Sequence, residues 1–140
     1  MIQNLDRETR LGWMKYAFPA KSSNTITNPK NIVEWINTLR MLRNASAHMA
    51  RLFAKNLTYS PNIAKTKLIK QLEISNTPDE FKHTLFAGLL IIREFYSVLD
   101  EDRKTEWNVF IEELDEKIRT FEIDPQKMGL VSFKKEDWNL

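Results

Sequence analysis

Residues 35–53, WINTLRMLRNASAHMARLF, contain the pattern that decides the fold. An α-helix turns by about 100° per residue, so the apolar side chains of this segment share one arc of the helix. They are Trp35, Leu39, Leu42, Met49, Ala50 and Phe53. The remaining arc is mostly cationic or polar and consists of Arg40, Arg43, Asn44, Ala47, His48 and Arg51. The segment is therefore predicted to be a helix with one face in a hydrophobic core and one wet, positively charged face.

The apolar periodicity outside this segment is also helical, and only three glycines and five prolines interrupt the chain. The pair Asn28-Pro29 is a good helix start, because asparagine caps helices and proline fits their first position. We predict helices over residues 6–18, 29–57 (one long helix or a closely spaced pair), 64–72, 78–99 and 100–121. The expected fold class is all-α, an antiparallel bundle of about four main helices.

The C-terminal tail after Asp124-Pro125 is predicted to be irregular. Its apolar residues are expected to anchor it to the bundle, and they are Met128, Leu130, Phe133 and Trp138.

The composition limits which class of protein this chain can belong to. A chain of 140 residues is long enough for one domain with its own core, and the absence of cysteine excludes disulfides and thiolate metal sites. The longest apolar run, residues 85–92, is too short to span a membrane, and residues 1–10 are too polar for a signal peptide. We therefore expect a cytoplasmic protein without a membrane partner and, since no metal or phosphate-loop motif occurs, without a cofactor.

The charge is unevenly distributed. The whole chain carries only +2, but residues 29–70 contain eight lysines and arginines against the single acid Glu34, which makes that segment +7 and the remainder −5. A cationic surface of this kind attracts phosphate backbones. The alternative is a solvated helical face whose sign has no function.

Two blocks of sequence carry a resemblance to a known family. The string Leu42-Arg43-Asn44-x-x-Ala47-His48-x-x-Arg51-Leu52 resembles the signature of the abortive-infection (Abi-like) phage-resistance family. That family is similar to the HEPN superfamily of helical ribonucleases, whose motif is Arg, a polar residue, a few residues and His. Met128-Gly129 followed by Trp138 resembles the closing pattern of the Abi-like family, and the spacing between the blocks also fits.

The resemblance covers residues 30–140, which look like the C-terminal half of an Abi-like protein, while residues 1–29 match poorly. Proteins of that family are usually about twice as long, and their N-terminal half has no counterpart here. We therefore treat residues 1–140 as a single HEPN-like helical domain, either a short family member or a truncated one.

The resemblance implies a metal-independent endoribonuclease that acts in phage defence or as a toxin and cuts RNA by attack of the ribose 2′-OH. The catalytic candidates are Arg43, Asn44 and His48. Histidine as a residue type titrates near neutral pH and suits proton transfer, and arginine forks two donors onto a phosphate. Asparagine can hydrogen-bond the imidazole or the scissile phosphate and so fix its orientation. Further phosphate contacts are expected from Arg40, Arg51 and Lys55.

The expected partners are RNA, a second copy of the chain and a regulatory protein such as an antitoxin. A homodimer is expected because HEPN-like nucleases build one site from two motifs and this chain has one motif.

Other interpretations remain open. Arg43 and Arg51 pair with acids such as Glu112 or Glu116 if their role is structural, and we take His83, the second histidine, as non-functional. The functional alternative is a HEPN-like module that binds RNA or protein without cutting, with its tryptophans and apolar helices used for dimerisation or docking.

Overall fold

The computed structural model describes residues 6–17, 29–48, 57–59, 61–63, 68–69, 83–130 and 133–140. Within these ranges all regular structure is helical and no strand occurs, with four main helices. The all-α prediction and the number of main helices are confirmed.

The elements in chain order are α1 (Arg7–Ala17), α2 (Pro29–Ala47), α3 (Leu85–Tyr96), α4 (Glu101–Thr120), a 3-10 turn (Pro125–Met128) and α5 (Lys135–Trp138). Helix α2 packs against α1 and α3, while α4 packs against α3 and α5. Helix α3 therefore contacts both of the longer helices.

Two predicted helix starts are confirmed. Helix α2 begins at Pro29, where the missing proline N–H costs nothing because the first turn has no intrahelical acceptor. Asp100 caps α4, since its side chain accepts a hydrogen bond from the backbone N–H of Arg103 at 3.0 Å.

The prediction of one continuous helix over 78–99 is wrong. Thr77-Pro78 with Glu80 indicated its start, but His83 lies in a turn, Thr84 is extended, and α3 begins at Leu85. The reason is a pairing with a distant loop, because the backbone N–H of Leu57 donates to the His83 carbonyl at 2.5 Å. This bond holds His83 outside the helix, and the predicted residues 78–82 lie outside the described part.

The other predicted segments are tested only in part. Helix α2 ends at Ala47 and His48 follows in a turn, whereas residues 49–56 are not among those described. Of the segment predicted at 64–72, only Leu68 and Ile69 are described, and both are helical and buried.

Three of the four tryptophans form the centre of the core. Trp35, Trp107 and Trp138 are almost completely buried, and the indole N–H groups of Trp35 and Trp107 donate to the carbonyls of Asn62 (3.2 Å) and Trp138 (2.8 Å). These three side chains are thus unavailable for the surface docking that the alternative interpretation assigned to them.

Gly88 lies in the middle of α3, where glycine costs about 1 kcal/mol relative to alanine. The packing against α2 explains why glycine occurs at this position. A Cβ atom there would overlap Leu42 Cδ1 and lie 3.4 Å from Leu42 Cγ. The glycine lets α2 and α3 approach closely at the turn that precedes Arg43.

The C-terminal tail is more ordered than predicted, since it contains the 3-10 turn and α5. Its anchoring role is confirmed: Met128, Leu130 and Trp138 are buried and Phe133 is half-buried. The Trp138 ring meets Phe86 of α3 edge to face at 5.5 Å between centroids.

Polar contacts hold the end of the tail as well. Arg93, only 5% exposed, donates from Nε to the Trp138 carbonyl and from Nη2 to the Asn139 carbonyl, each at 2.8 Å. Asn108 forms a two-way pair with the Leu140 backbone, at 2.9 and 3.1 Å. Burial lowers the pKa of Arg93, while the carboxylate of the neighbouring Glu94 opposes that change.

Among the described helices, none is both long enough and apolar enough to cross a lipid bilayer.

Candidate functional site

The candidate site lies on the last turns of α2 and the residue that follows. Arg40, Arg43, Asn44 and His48 are exposed, whereas Leu42 of the apolar arc is buried. The helix reaches this point without a break because residues 45–47, Ala-Ser-Ala, include two alanines, the best helix former. The predicted division into a core face and a polar face therefore holds over the described part of the segment.

Arg43 and Asn44 contact each other directly. Arg43 Nη1 donates to Asn44 Oδ1 at 3.0 Å, and both side chains are exposed. The bond orients the guanidinium and uses one of its N–H donors, and the described residues offer Arg43 no other side-chain partner. The helical periodicity of the sequence predicted that both residues lie on the polar face, but it did not predict this bond.

His48 follows α2 in a turn, and its backbone N–H donates to the Asn44 carbonyl at 3.1 Å. That bond keeps His48 one helical turn beyond Asn44, as the spacing predicted. Within the described ranges, the His48 ring makes no hydrogen bond or ion pair, and the residue is exposed. The three catalytic candidates thus occupy one short, exposed stretch of chain.

Two predicted phosphate contacts, Arg51 and Lys55, lie outside the described residues. The alternative role for Arg43 was an ion pair with an acid such as Glu112. In the described residues Arg43 bonds Asn44 instead, and Glu112 pairs with Lys135 at 2.5 and 2.8 Å.

Hydrogen bonding to Glu112 raises the pKa of Lys135.

The charge asymmetry persists among the described helices. The part of the cationic segment from 29 to 48 carries three basic residues against one acid, whereas α4 carries seven acids against four basic residues. Four of the α4 acids are in ion pairs: Glu101, Glu106, Glu112 and Asp115. The exposed cations Arg40 and Arg43 of α2 therefore belong to a different helix from the seven acids of α4.

His83 has a structural contact that the sequence did not indicate. Its Nδ1 lies 2.8 Å from the Leu57 carbonyl, which accepts only, so Nδ1 carries the hydrogen. Together with the backbone bond from Leu57, this contact joins two segments 26 residues apart. No local pattern predicts such a pair.

The closing block of the resemblance consists of packing residues. Met128 and Trp138 are buried, and Gly129 ends the 3-10 turn at φ 89°, a left-handed conformation that favours glycine. A Cβ atom at Gly129 would also lie 2.6 Å from Thr84 Cβ, next to the start of α3. Both requirements explain the glycine without a catalytic role.

No family model, curated protein or solved structure matches this chain.

Proposed function

We propose that the chain is a metal-independent endoribonuclease of the HEPN type whose site contains Arg43, Asn44 and His48. The observation that carries the proposal is their joint exposure at the end of α2, next to the buried Leu42. Arg43, Asn44 and His48 place a cation, an amide and an imidazole at solvent-facing positions within six residues of one another, close enough to act on one phosphodiester. The sequence resemblance gives this arrangement its chemical meaning.

The reaction is a transesterification within the RNA. The ribose O2′ loses its proton to an imidazole and attacks the adjacent phosphorus, the P–O5′ bond breaks, and the departing O5′ takes up a proton. The products are a 2′,3′-cyclic phosphate and a 5′-hydroxyl. The His48 imidazole is the group that transfers these protons. Arg43 binds the non-bridging phosphate oxygens while negative charge develops on them.

The bond between Arg43 and Asn44 supports this assignment of roles. A guanidinium oriented by an amide oxygen loses less freedom when it binds a phosphate than one that rotates freely. Arg40, exposed one turn earlier, is suited to hold a neighbouring phosphate, as are Arg51 and Lys55 if the cationic face continues beyond His48.

Arg43→Lys is expected to lose most of the activity, about tenfold to a hundredfold in kcat, although the charge is retained. Lysine keeps the charge and can still donate hydrogen bonds, but it lacks the planar fork that binds two phosphate oxygens at once. Single-turnover cleavage assays measure the loss, with Arg103→Lys as the matched control because Arg103 is an exposed arginine of α4 paired with Glu106. Wild-type turnover by Arg43→Lys would contradict the phosphate-clamp role.

A two-fold homodimer belongs to the same proposal. In-line transfer is best served by a proton acceptor and a proton donor on opposite sides of the phosphorus, and one motif supplies a single histidine. A two-fold axis near His48 brings a second copy of the same residues to one cleft. The biological setting we propose is phage defence or a toxin, with an antitoxin-like protein as a further partner.

Cleavage is expected to survive EDTA and to spare DNA of the same sequence. His48 and Arg43 supply proton transfer and charge stabilisation, and DNA lacks the attacking 2′-OH. Gel assays of paired RNA and DNA substrates, with and without chelator, measure both properties. Activity that EDTA removes, or DNA cut at a comparable rate, would point to a different nuclease mechanism.

The second candidate function is RNA binding without cleavage. It is favoured by the openness of the site, because Arg40, Arg43 and His48 are all exposed and three such groups along one helix suffice to bind phosphates. The two functions separate in one comparison, since a binding module retains RNA in gel-shift assays and leaves it intact.

A further inference from the structure

Helix α3 lies between α2 and the C-terminal tail. Gly88 faces Leu42 of α2, whereas Phe86 contacts Trp138, and Arg93 holds the tail carbonyls. At about 100° per residue, Phe86 and Arg93 lie roughly 140–160° around the helix from Gly88. The tail and α2 therefore pack on nearly opposite sides of α3.

We propose that Gly88 is a positioning residue for the candidate site, which rests on the ribonuclease function proposed above. It fixes how closely Leu42 seats against α3 and thereby where the next two residues, Arg43 and Asn44, are held. Gly88 does not touch RNA; it acts through Leu42.

The direction of the effect follows from what surrounds α3. A methyl group at Gly88 overlaps Leu42 Cδ1, the end of a flexible side chain, and Leu42 is itself buried, so a rotation of that side chain presses on close-packed neighbours. Retreat of helix α3 is opposed by Trp138 and the bonds of Arg93 on its other side. We therefore expect the Leu42 side chain and the backbone of α2 to share the displacement.

Catalysis is sensitive to displacements of this size. A shift of about 1 Å in a group that orients substrate costs roughly a hundredfold in rate. Arg43 is adjacent in the chain to Leu42 and is held on one side by Asn44, so it moves with the backbone of α2. An effect on turnover is therefore expected before an effect on the overall fold.

The test changes the two sides of the contact between Gly88 and Leu42 by one methyl group each. Gly88→Ala adds a methyl group and Leu42→Val removes one, so the double variant restores the total volume. Gly88→Ala is expected to lower kcat by about tenfold to a hundredfold with KM nearly unchanged, and the double variant to return within roughly threefold of wild type. Gly12→Ala is the matched control, and it is expected to keep full activity. Among the described residues, no atom beyond the chain neighbours and the backbone of its own helix lies within 4 Å of a Cβ there.

The reciprocal comparison covers the case in which Gly88→Ala alone does not fold. Leu42→Val leaves a gap at Gly88 and is expected to lower kcat several-fold, and adding Gly88→Ala is expected to raise it again. Recovery separates positioning from general destabilisation, which a second substitution would not repair.

Wild-type turnover by Gly88→Ala overturns the inference, and so does a double variant no better than Leu42→Val. Both results leave the ribonuclease standing if the wild type cleaves RNA. A wild type inert toward RNA overturns the proposed function itself, and with it the role of Gly88.

Discussion

Replacing His48 with alanine is expected to reduce RNA cleavage by about 10²- to 10⁴-fold, the range found when a group that transfers protons is removed. The melting temperature and the helical circular-dichroism signal are expected to stay close to wild type. His48 is exposed and its ring has no hydrogen-bond partner among the described residues, so its loss leaves no buried group unpaired. Growth arrest caused by the wild type in bacteria is expected to disappear with the same substitution.

His83→Ala is the matched control, because His83 is the other histidine of the chain. It loses the bond from Nδ1 to the Leu57 carbonyl, which is expected to cost about 1 kcal/mol of stability while cleavage continues below the melting temperature. The account fails at His48 if the two variants behave in the opposite way, with His48→Ala destabilised and active and His83→Ala stable and inert.

The largest effect on stability is expected from Trp138→Ala, at about 3–5 kcal/mol of the free energy of unfolding. Trp138 is 1% exposed, and its ring packs against both Phe86 and Phe133. Alanine leaves a cavity between the tail and α3 that these neighbours cannot fill. Urea unfolding measures the change, with the melting temperature expected to fall by roughly 10 °C or more.

Trp13→Ala provides the comparison within the same residue type. Trp13 is 38% exposed on α1, so its removal is expected to cost clearly less than the loss of Trp138. Equal losses from the two substitutions would contradict the assignment of the tail as part of the core.

The parts of the fold that follow from local rules were predictable. Pro29 and Asp100 mark helix starts because capping and first-turn preferences act within four residues. The two faces of α2 were predictable for the same reason, since helical periodicity alone separates Leu42 from Arg43. The predicted anchoring of the tail needed only its apolar residues.

The parts that depend on distant pairs were not predictable. The late start of α3 follows from the pairing of His83 with Leu57, and the docking of the tail depends on Arg93, whose acceptors lie 45 and 46 residues further along the chain. No periodicity within a helix encodes such partners. The sequence shows a glycine at position 88, but only the packing of Leu42 against it in the structure explains why a larger residue does not fit there.

The candidate site was predictable in its residues and incompletely in its arrangement. The helical wheel placed Arg43, Asn44 and His48 on the solvent side, and the described residues agree. The bond between Arg43 and Asn44 depends on side-chain rotamers that spacing does not specify. Whether Arg51 and Lys55 extend the site is still a prediction, because both lie beyond the described part of this segment.

The ends of the RNA fragments test the central claim most directly. Total bacterial RNA is incubated with purified wild-type protein and with the His48→Ala variant in EDTA, and the new termini are analysed chemically. The account predicts fragments with 2′,3′-cyclic phosphate and 5′-hydroxyl ends from the wild type and none from His48→Ala, because attack by O2′ produces these termini. Intact RNA after incubation with the wild type, or fragments ending in 3′-hydroxyl and 5′-phosphate groups, would contradict it.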